Sequence, residues 1–130
     1  MALKVELKPG EQIVIGSVVI RNGNQRAHFI VEGQAPILRE KDILTAETAN
    51  SPARRIYLAV QLMYLTGDIQ ENSTIYFELI RDFMAAAPSS AQMIAEINSR
   101  ILSGDLYKAL KVAKRLVGYE QELLASMSGA

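Results

Sequence analysis

The chain has no cysteine among its 130 residues, which excludes disulfides, thiolate metal sites and cysteine nucleophiles together. It has no apolar run near the roughly 20 residues that a membrane-spanning helix needs. Its first residues, MALKVELKPGEQ, have no apolar run after a basic start, so they do not resemble a secretory signal. We therefore expect a soluble, cytoplasmic protein with no membrane partner.

Net charge is also lacking, because 14 basic side chains balance 14 acidic ones. No overall field attracts the protein to a polyanion, so any nucleic-acid site must be a local patch of sorted charge. The 49% hydrophobic and 22% charged residues are typical of a folded globular chain. The length predicts a single domain over residues 1–130, with a β part at 1–44 and a helical part at 45–130.

Catalytic and cofactor motifs are absent. No phosphate-binding glycine loop, dinucleotide fingerprint, HExxH or EF-hand spacing occurs. The single histidine, His28, lies in a predicted strand without a nucleophile or carboxylate placed against it by the sequence. Glu40 and Asp42 alternate with Arg39 and Lys41, a pattern of local ion pairs rather than of an acid–base couple or metal site. We expect no enzyme, no metal and no cofactor.

The first strand is predicted by alternation. Leu3, Val5 and Leu7 alternate with charged residues, which is the period of a half-buried strand. Pro9-Gly10 then predicts a turn.

The following residues predict the rest of a small antiparallel sheet or sandwich. Residues 13–20 are rich in β-branched side chains, with Gly16-Ser17 as a bulge or short break. Asn22-Gly23-Asn24 indicates a hairpin because such residues tolerate positive φ. A further strand is expected over 25–32, and a short edge strand at Ile37-Leu38.

The rest of the chain predicts a bundle of about four helices, so the fold class is α+β. Start and stop signals of helices mark the boundaries, among them Asn50-Ser51-Pro52 before the first helix and Gly67 after it. The predicted helices cover 52–66, 73–87, a third from Ser89 or Ser90 to near Gly104, and a fourth from Asp105 past Gly118 toward Ser126.

Two helices have instructive faces. The first is apolar almost all round, so it is either the central element of the helical part or part of a subunit contact. The fourth should bury Leu106, Leu110, Ala113 and Val117 and expose its cations.

Four cations without an acid, Lys108, Lys111, Lys114 and Arg115, form the basic face of the fourth helix. This face is either a solvated helix surface or a site for a polyanion.

Arg54 and Arg55 lie in the first turn of a helix, where the helix dipole disfavours cations. They either pair with a nearby acid or contact a phosphate with the help of backbone donors at the helix end. Arg21, Arg26, Arg39 and Lys41 could extend such a patch. No aromatic stacking strip is visible, because Phe29 is expected to point inward and Tyr57 and Tyr64 lie on an apolar helix.

Residues 35–65, APILREKDILTAETANSPARRIYLAVQLMYL, closely resemble the FlbT family of flagellum biosynthesis repressors. Three more segments match in collinear order: ALKVELKPGE near the start, FMAAAPSS at 83–90 and ILSGDLYKALKVAKRL at 101–116. The resemblance implies a post-transcriptional regulator that associates with the 5′ untranslated leader of flagellin mRNA and promotes its degradation.

The resemblance implies no catalytic residues. The competing hypothesis is a protein-interaction module that binds flagellin or the small partner FlaF and affects the message indirectly. A neutral chain without a stacking strip is a poor RNA binder by itself, so either oligomerisation concentrates its cationic patches or a protein partner supplies affinity. We expect a homo-oligomer. The candidate residues for RNA or partner contact are Arg26, His28, Arg39, Lys41, Arg54, Arg55, Lys108, Lys111, Lys114 and Arg115.

Overall fold

The structure, a computed structural model, describes residues 2–127 and confirms the α+β class. It divides the chain into two compact units, residues 1–43 and 44–130, which we call the β unit and the helical unit. That both together form one domain stays a prediction. Among the described residues, no helix is long and apolar enough to cross a membrane.

The β unit contains two small antiparallel sheets rather than one. One pairs β1 with β4, and the other has the order β3-β2-β5. A short 3₁₀ turn, Glu40–Asp42, follows the last strand. The strands are β1 (Ala2–Leu7), β2 (Gln12–Ile15), β3 (Val18–Arg21), β4 (Ala27–Glu32) and β5 (Ile37–Arg39).

The core of the β unit is small. Val5 and Leu7 are buried, as the alternation along β1 predicts, whereas Leu3 is exposed; Ile13 of β2 is buried with them. Phe29 points inward as expected and packs, half-buried, against the three buried residues. Because this core has so few fully buried side chains, hydrogen bonds between distant segments have a large share in holding the unit together.

The expected bulge or break at Gly16-Ser17 is a two-residue hairpin turn. Ile15 and Val18 pair directly across it, so one predicted strand becomes the hairpin of β2 and β3. Gly16 has a φ of 61°, a conformation that glycine adopts without steric cost.

The hairpin expected at Asn22-Gly23-Asn24 is wrong, because the strands before and after it lie in different sheets. Asn22 instead ties the connection to the end of β1. Its side-chain amide donates to the carbonyls of Leu7 at 3.0 Å, Lys8 at 2.9 Å and Gln25 at 2.8 Å. A residue type that is frequent in hairpin turns here fixes a crossing between sheets.

The helical unit contains the four predicted helices. Ser51 caps the first by accepting a hydrogen bond from the Arg54 N–H, and Gly67 ends it in the left-handed conformation, both as predicted. A 3₁₀ turn, Pro88–Ser90, precedes the third helix. The helices are α1 (Pro52–Thr66), α2 (Ile69–Ala86), α3 (Ala91–Leu102) and α4 (Leu106–Met127).

Two predicted helix starts need correction. α2 begins at Ile69 rather than Ser73, because the Asp68 side chain caps it by accepting from the Glu71 N–H at 3.0 Å. Ser90 does precede α3, but its hydroxyl donates to the Ala87 carbonyl and does not cap the helix.

α1 packs against both α2 and α4, which explains why it is apolar on several sides. Ile56, Val60 and Met63 are fully buried there. The buried stripe of α4 differs from the expected one: Leu110 and Ala113 are buried, whereas Leu106 and Val117 are only half-buried. The remaining buried apolar residues of α4 are Ala109, Val112 and Leu116.

Two buried polar side chains fasten α1 to its surroundings. The side-chain amide of Gln61 accepts from the Leu44 N–H at 2.9 Å and donates to the Leu44 carbonyl at 3.0 Å. It thereby satisfies both backbone groups of Leu44, as the backbone of a paired β-strand does. The carboxylate of Glu120, on α4, accepts from the Ala53 N–H at 2.9 Å. A negative group at the N-terminus of α1 is favoured by the helix dipole.

Candidate functional site

The basic face of α4 lies on a stretch without acids. Residues 106–119 contain no Asp or Glu, and all four cations of the face are exposed. Lys108 and Arg115 each meet an acid from outside this stretch: Lys108 Nζ lies 3.5 Å from Asp105, and a guanidinium nitrogen of Arg115 lies 3.3 Å from Glu96. Folding therefore partly neutralises the two ends of the face.

Lys111, between these two residues, has an aromatic partner. Its ammonium lies 5.1 Å from the ring centroid of Tyr107, the spacing of a cation–π contact. Tyr107 also packs against Tyr64 of α1, with ring centroids 5.6 Å apart and ring planes tilted by 46°. Tyr107 keeps 47% of its surface exposed. We call this arrangement the tyrosine–lysine cluster; it consists of Tyr64, Tyr107 and Lys111.

Sequence reasoning missed this cluster. The spacing of four between Tyr107 and Lys111 on one helix could have indicated their contact. Tyr64, however, comes from another helix, and only the packing of α1 on α4 brings it to Tyr107.

The start of α1 holds Arg54 and Arg55. Arg54 is half-buried, and its guanidinium donates to the Asn50 side-chain oxygen at 3.1 Å; Arg55 is exposed. The backbone donors of Ala53 and Arg54 are already occupied by Glu120 and Ser51. A phosphate at this helix end would therefore depend on the arginine side chains and not on these backbone groups.

In the β unit, folding brings several candidate residues to the outer face of β1 and β4. Arg26 lies 2.5 Å from a carboxylate oxygen of Glu6, and His28 lies 3.9 Å from the same oxygen. The hydrogen bond from Arg26 holds the pKa of Glu6 below its usual 4.5. An open cavity of about 700 Å³ lies beside this group, and it is lined by Lys4, Val5, Glu6, His28, Phe29, Ile30 and Arg39.

The remaining cations of the β unit lie apart from this cavity's lining. Lys41 is exposed in the 3₁₀ turn, and Arg21 is exposed at the end of β3. Within residues 2–127, no three His, Asp or Glu side chains are grouped as the ligands of a metal ion would be.

Comparison with known proteins identifies the family. The family model of the flagellar protein FlbT matches residues 3–124. The probable flagellum biosynthesis repressor protein FlbT 1 of Bradyrhizobium diazoefficiens is 56% identical over 124 residues, which cover 95% of this chain and 85% of that protein. The probable flagellum biosynthesis repressor of Rhodopseudomonas palustris strain TIE-1 is 53% identical, over 96% of this chain and 99% of its own.

A more distant relative bears a similar name. The flagellum biosynthesis repressor protein FlbT of Caulobacter vibrioides is 35% identical over 98% of this chain and 93% of its own. No solved structure shows significant similarity. Since the family model and these relatives cover nearly all of the sequence, the chain belongs to the FlbT family of flagellar proteins.

Proposed function

We propose that this protein represses flagellum biogenesis by associating with the 5′ untranslated leader of flagellin mRNA and promoting its degradation. The names of its relatives, flagellum biosynthesis repressors, support the regulatory part of the proposal. The RNA-binding part is supported by the tyrosine–lysine cluster.

The main support is that an exposed aromatic ring and exposed cations lie together on a stretch of α4 that contains no Asp or Glu. Single-stranded RNA is held by bases stacked on aromatic side chains and by phosphates near cations. Tyr107 offers a half-exposed ring, and Lys111 stands over it. Lys108 and Lys114 lie about one helical turn before and after Lys111. Positive charge therefore continues along α4, where an RNA strand could follow it.

Two variants measure separately how much base stacking and how much positive charge contribute to RNA affinity. Lys111→Ala should weaken the binding of flagellin leader RNA and lower the slope of log affinity against log salt by about 1. Tyr107→Leu should weaken binding by about 1–3 kcal/mol and leave that slope unchanged, because it removes a ring and no charge. Fluorescence anisotropy with labelled leader RNA over a series of salt concentrations measures both quantities.

Lys8→Ala is the matched control, since it removes one exposed positive charge from the β unit. It should change affinity much less than Lys111→Ala. Equal effects of the two lysine variants would show that only net charge matters and would contradict a site at the cluster.

A second candidate function is a protein-interaction module that binds flagellin or FlaF and affects the message indirectly. It is favoured by large apolar side chains exposed on α2, where Ile75 is 58% and Phe77 57% exposed. Purified protein that captures flagellin or FlaF, and that shows no salt-sensitive shift of the leader RNA, would establish this function in place of the first.

A further inference from the structure

We propose that β3 is a dimerisation strand, which pairs antiparallel with β3 of a second copy of this chain. β3 is the outermost strand of its sheet, with β2 on one side only. All four of its residues are exposed, and the three apolar ones, Val18, Val19 and Ile20, expose 56%, 60% and 38% of their surface. The inference does not depend on the proposed RNA binding.

The register of the hairpin shows which backbone groups face the open edge. Ile15 and Val18 flank a two-residue turn, and such a closing pair exchanges both of its hydrogen bonds. Because pairs alternate along an antiparallel ladder, Val18 and Ile20 direct their N–H and C=O groups toward β2. The Asn22 N–H continues this order by donating to the Glu11 carbonyl at 2.9 Å. The backbone groups of Val19 and Arg21 therefore face outward.

The side chains of β3 do little to protect this edge. Edge strands of monomeric proteins are usually blunted by charges, proline or a bulge. β1 carries Lys4 and Glu6 within its length, and β5 ends in Arg39. β3 instead has three consecutive β-branched residues, and its one charge, Arg21, stands at its end.

A second copy suits this edge because β3 is complementary to itself, and a two-fold axis then fixes the register. A two-fold axis normal to the sheet keeps each side chain on its own face, so one residue must lie opposite itself. With Val19 at the axis, both outward-facing residues of β3 take part in hydrogen-bonded pairs, and Val18 of each copy meets Ile20 of the other. Each Arg21 then lies opposite Ser17 of the other copy.

This register also separates like charges. The two Arg21 side chains end four residues apart along the strands, about 13 Å at the usual rise per residue, which exceeds the screening length of about 8–10 Å. Centring the pair on Ile20 would halve that separation. The dimer contact is short, so we expect it to be reversible and to depend on protein concentration.

Cysteine substitution tests the register directly, because the chain has no cysteine of its own. In a hydrogen-bonded pair the Cα atoms lie about 5.5 Å apart, which suits a disulfide. Val19→Cys should therefore form a covalent dimer rapidly under mild oxidation. Val18→Cys is a matched control of nearly equal exposure, since its two copies would lie about 8 Å apart and could not be bridged.

Ile75→Cys, on α2, controls for random collision at similar exposure. If Val19→Cys cross-links no faster than Ile75→Cys, or if Val18→Cys cross-links as fast as Val19→Cys, the proposed pairing is overturned.

The mass of the protein without any cysteine provides a second measurement. Sedimentation equilibrium should show a dimer of the natural chain that dissociates on dilution, and Val19→Lys should shift it to monomer with an unchanged circular dichroism spectrum. Ile75→Lys should leave the mass unchanged. A natural chain that is monomeric at its highest soluble concentration, or one whose dimer survives Val19→Lys, would refute the proposal.

Discussion

The β unit and the helical unit hold themselves together in different ways. The β unit has a small core and relies on hydrogen bonds between segments far apart in the chain, of which the two from the Asn22 amide to the Leu7 and Lys8 carbonyls are the clearest. The helical unit buries an apolar stripe on each helix. Its few buried polar groups, such as Gln61, each hold one helix to one neighbouring segment by hydrogen bonds. The difference indicates that hydrogen bonds of single residues determine the topology of the β unit. The packing of many apolar side chains determines the topology of the helical unit.

The largest expected effect concerns the coupling of the two units. Ile13 is fully buried in the core of the β unit, so Ile13→Ala should lower the free energy of unfolding by about 2–5 kcal/mol. All five tyrosines lie in the helical unit, and their fluorescence reports that unit alone. If the chain is one domain, as its length predicts, the tyrosine-detected urea transition should shift along with the circular dichroism signal.

Ile97→Ala, in the core of the helical unit, serves as the reference because Ile97 is equally buried. An unshifted tyrosine transition in Ile13→Ala, together with a shifted one in Ile97→Ala, would show that the two units unfold independently.

The same contrast explains which features could be predicted from the sequence. The ends of α1 were predictable because Ser51 and Gly67 act on residues close by. The pairing of β1 with β4 was not, because a whole hairpin lies between them and local patterns carry no information on which strands meet. The start of α2 was missed because the residues that follow the capping Asp68 are mostly polar and do not begin an apolar stripe.

The candidate site follows the same rule. The exposure of Lys108, Lys111, Lys114 and Arg115 was predictable from helical periodicity within one element. The contact of Tyr64 with Tyr107 was not predictable, because it depends on how α1 packs on α4.

The second prediction removes a fastening point of the helical unit. Gln61→Leu would leave the N–H and C=O of Leu44 without their side-chain partner in a partly buried position. We expect a loss of about 2–3 kcal/mol in the free energy of unfolding, measured by urea denaturation. Gln92→Leu makes the same change at an exposed position of α3 and should stay within about 0.5 kcal/mol. Equal effects of both variants would mean that the contact with Leu44 contributes nothing.

The third prediction changes one donor in the β unit. Asn22→Asp would place a carboxylate against the three carbonyls that now accept from the amide, so it should destabilise the protein by about 1–3 kcal/mol. Asn24→Asp adds the same charge to an exposed position of the same turn and should have little effect. Thermal denaturation of the two variants measures the difference, and equal midpoints would show that charge alone, rather than the lost hydrogen bonds, matters at this turn.

The smallest effect is expected at the exposed ion pair of the β unit, and it depends on pH. The hydrogen bond from Arg26 lowers the pKa of Glu6 below 4.5, so folding favours the ionised carboxylate. The stabilisation is therefore complete above pH 4.5 and is lost as the pH falls through the lower pKa of the folded state.

Arg26→Gln should bring the pKa of Glu6, followed by NMR of its carboxyl carbon, back toward the ordinary value. The gap in thermal midpoint between the natural chain and Arg26→Gln should be present near neutral pH and close in acid, and it should shrink with added salt because both side chains are exposed. Arg81→Gln, at an exposed position of α2, should show no such closing gap. A gap for Arg26→Gln that stays constant through the titration of Glu6 would assign the effect of Arg26 to packing and not to its charge.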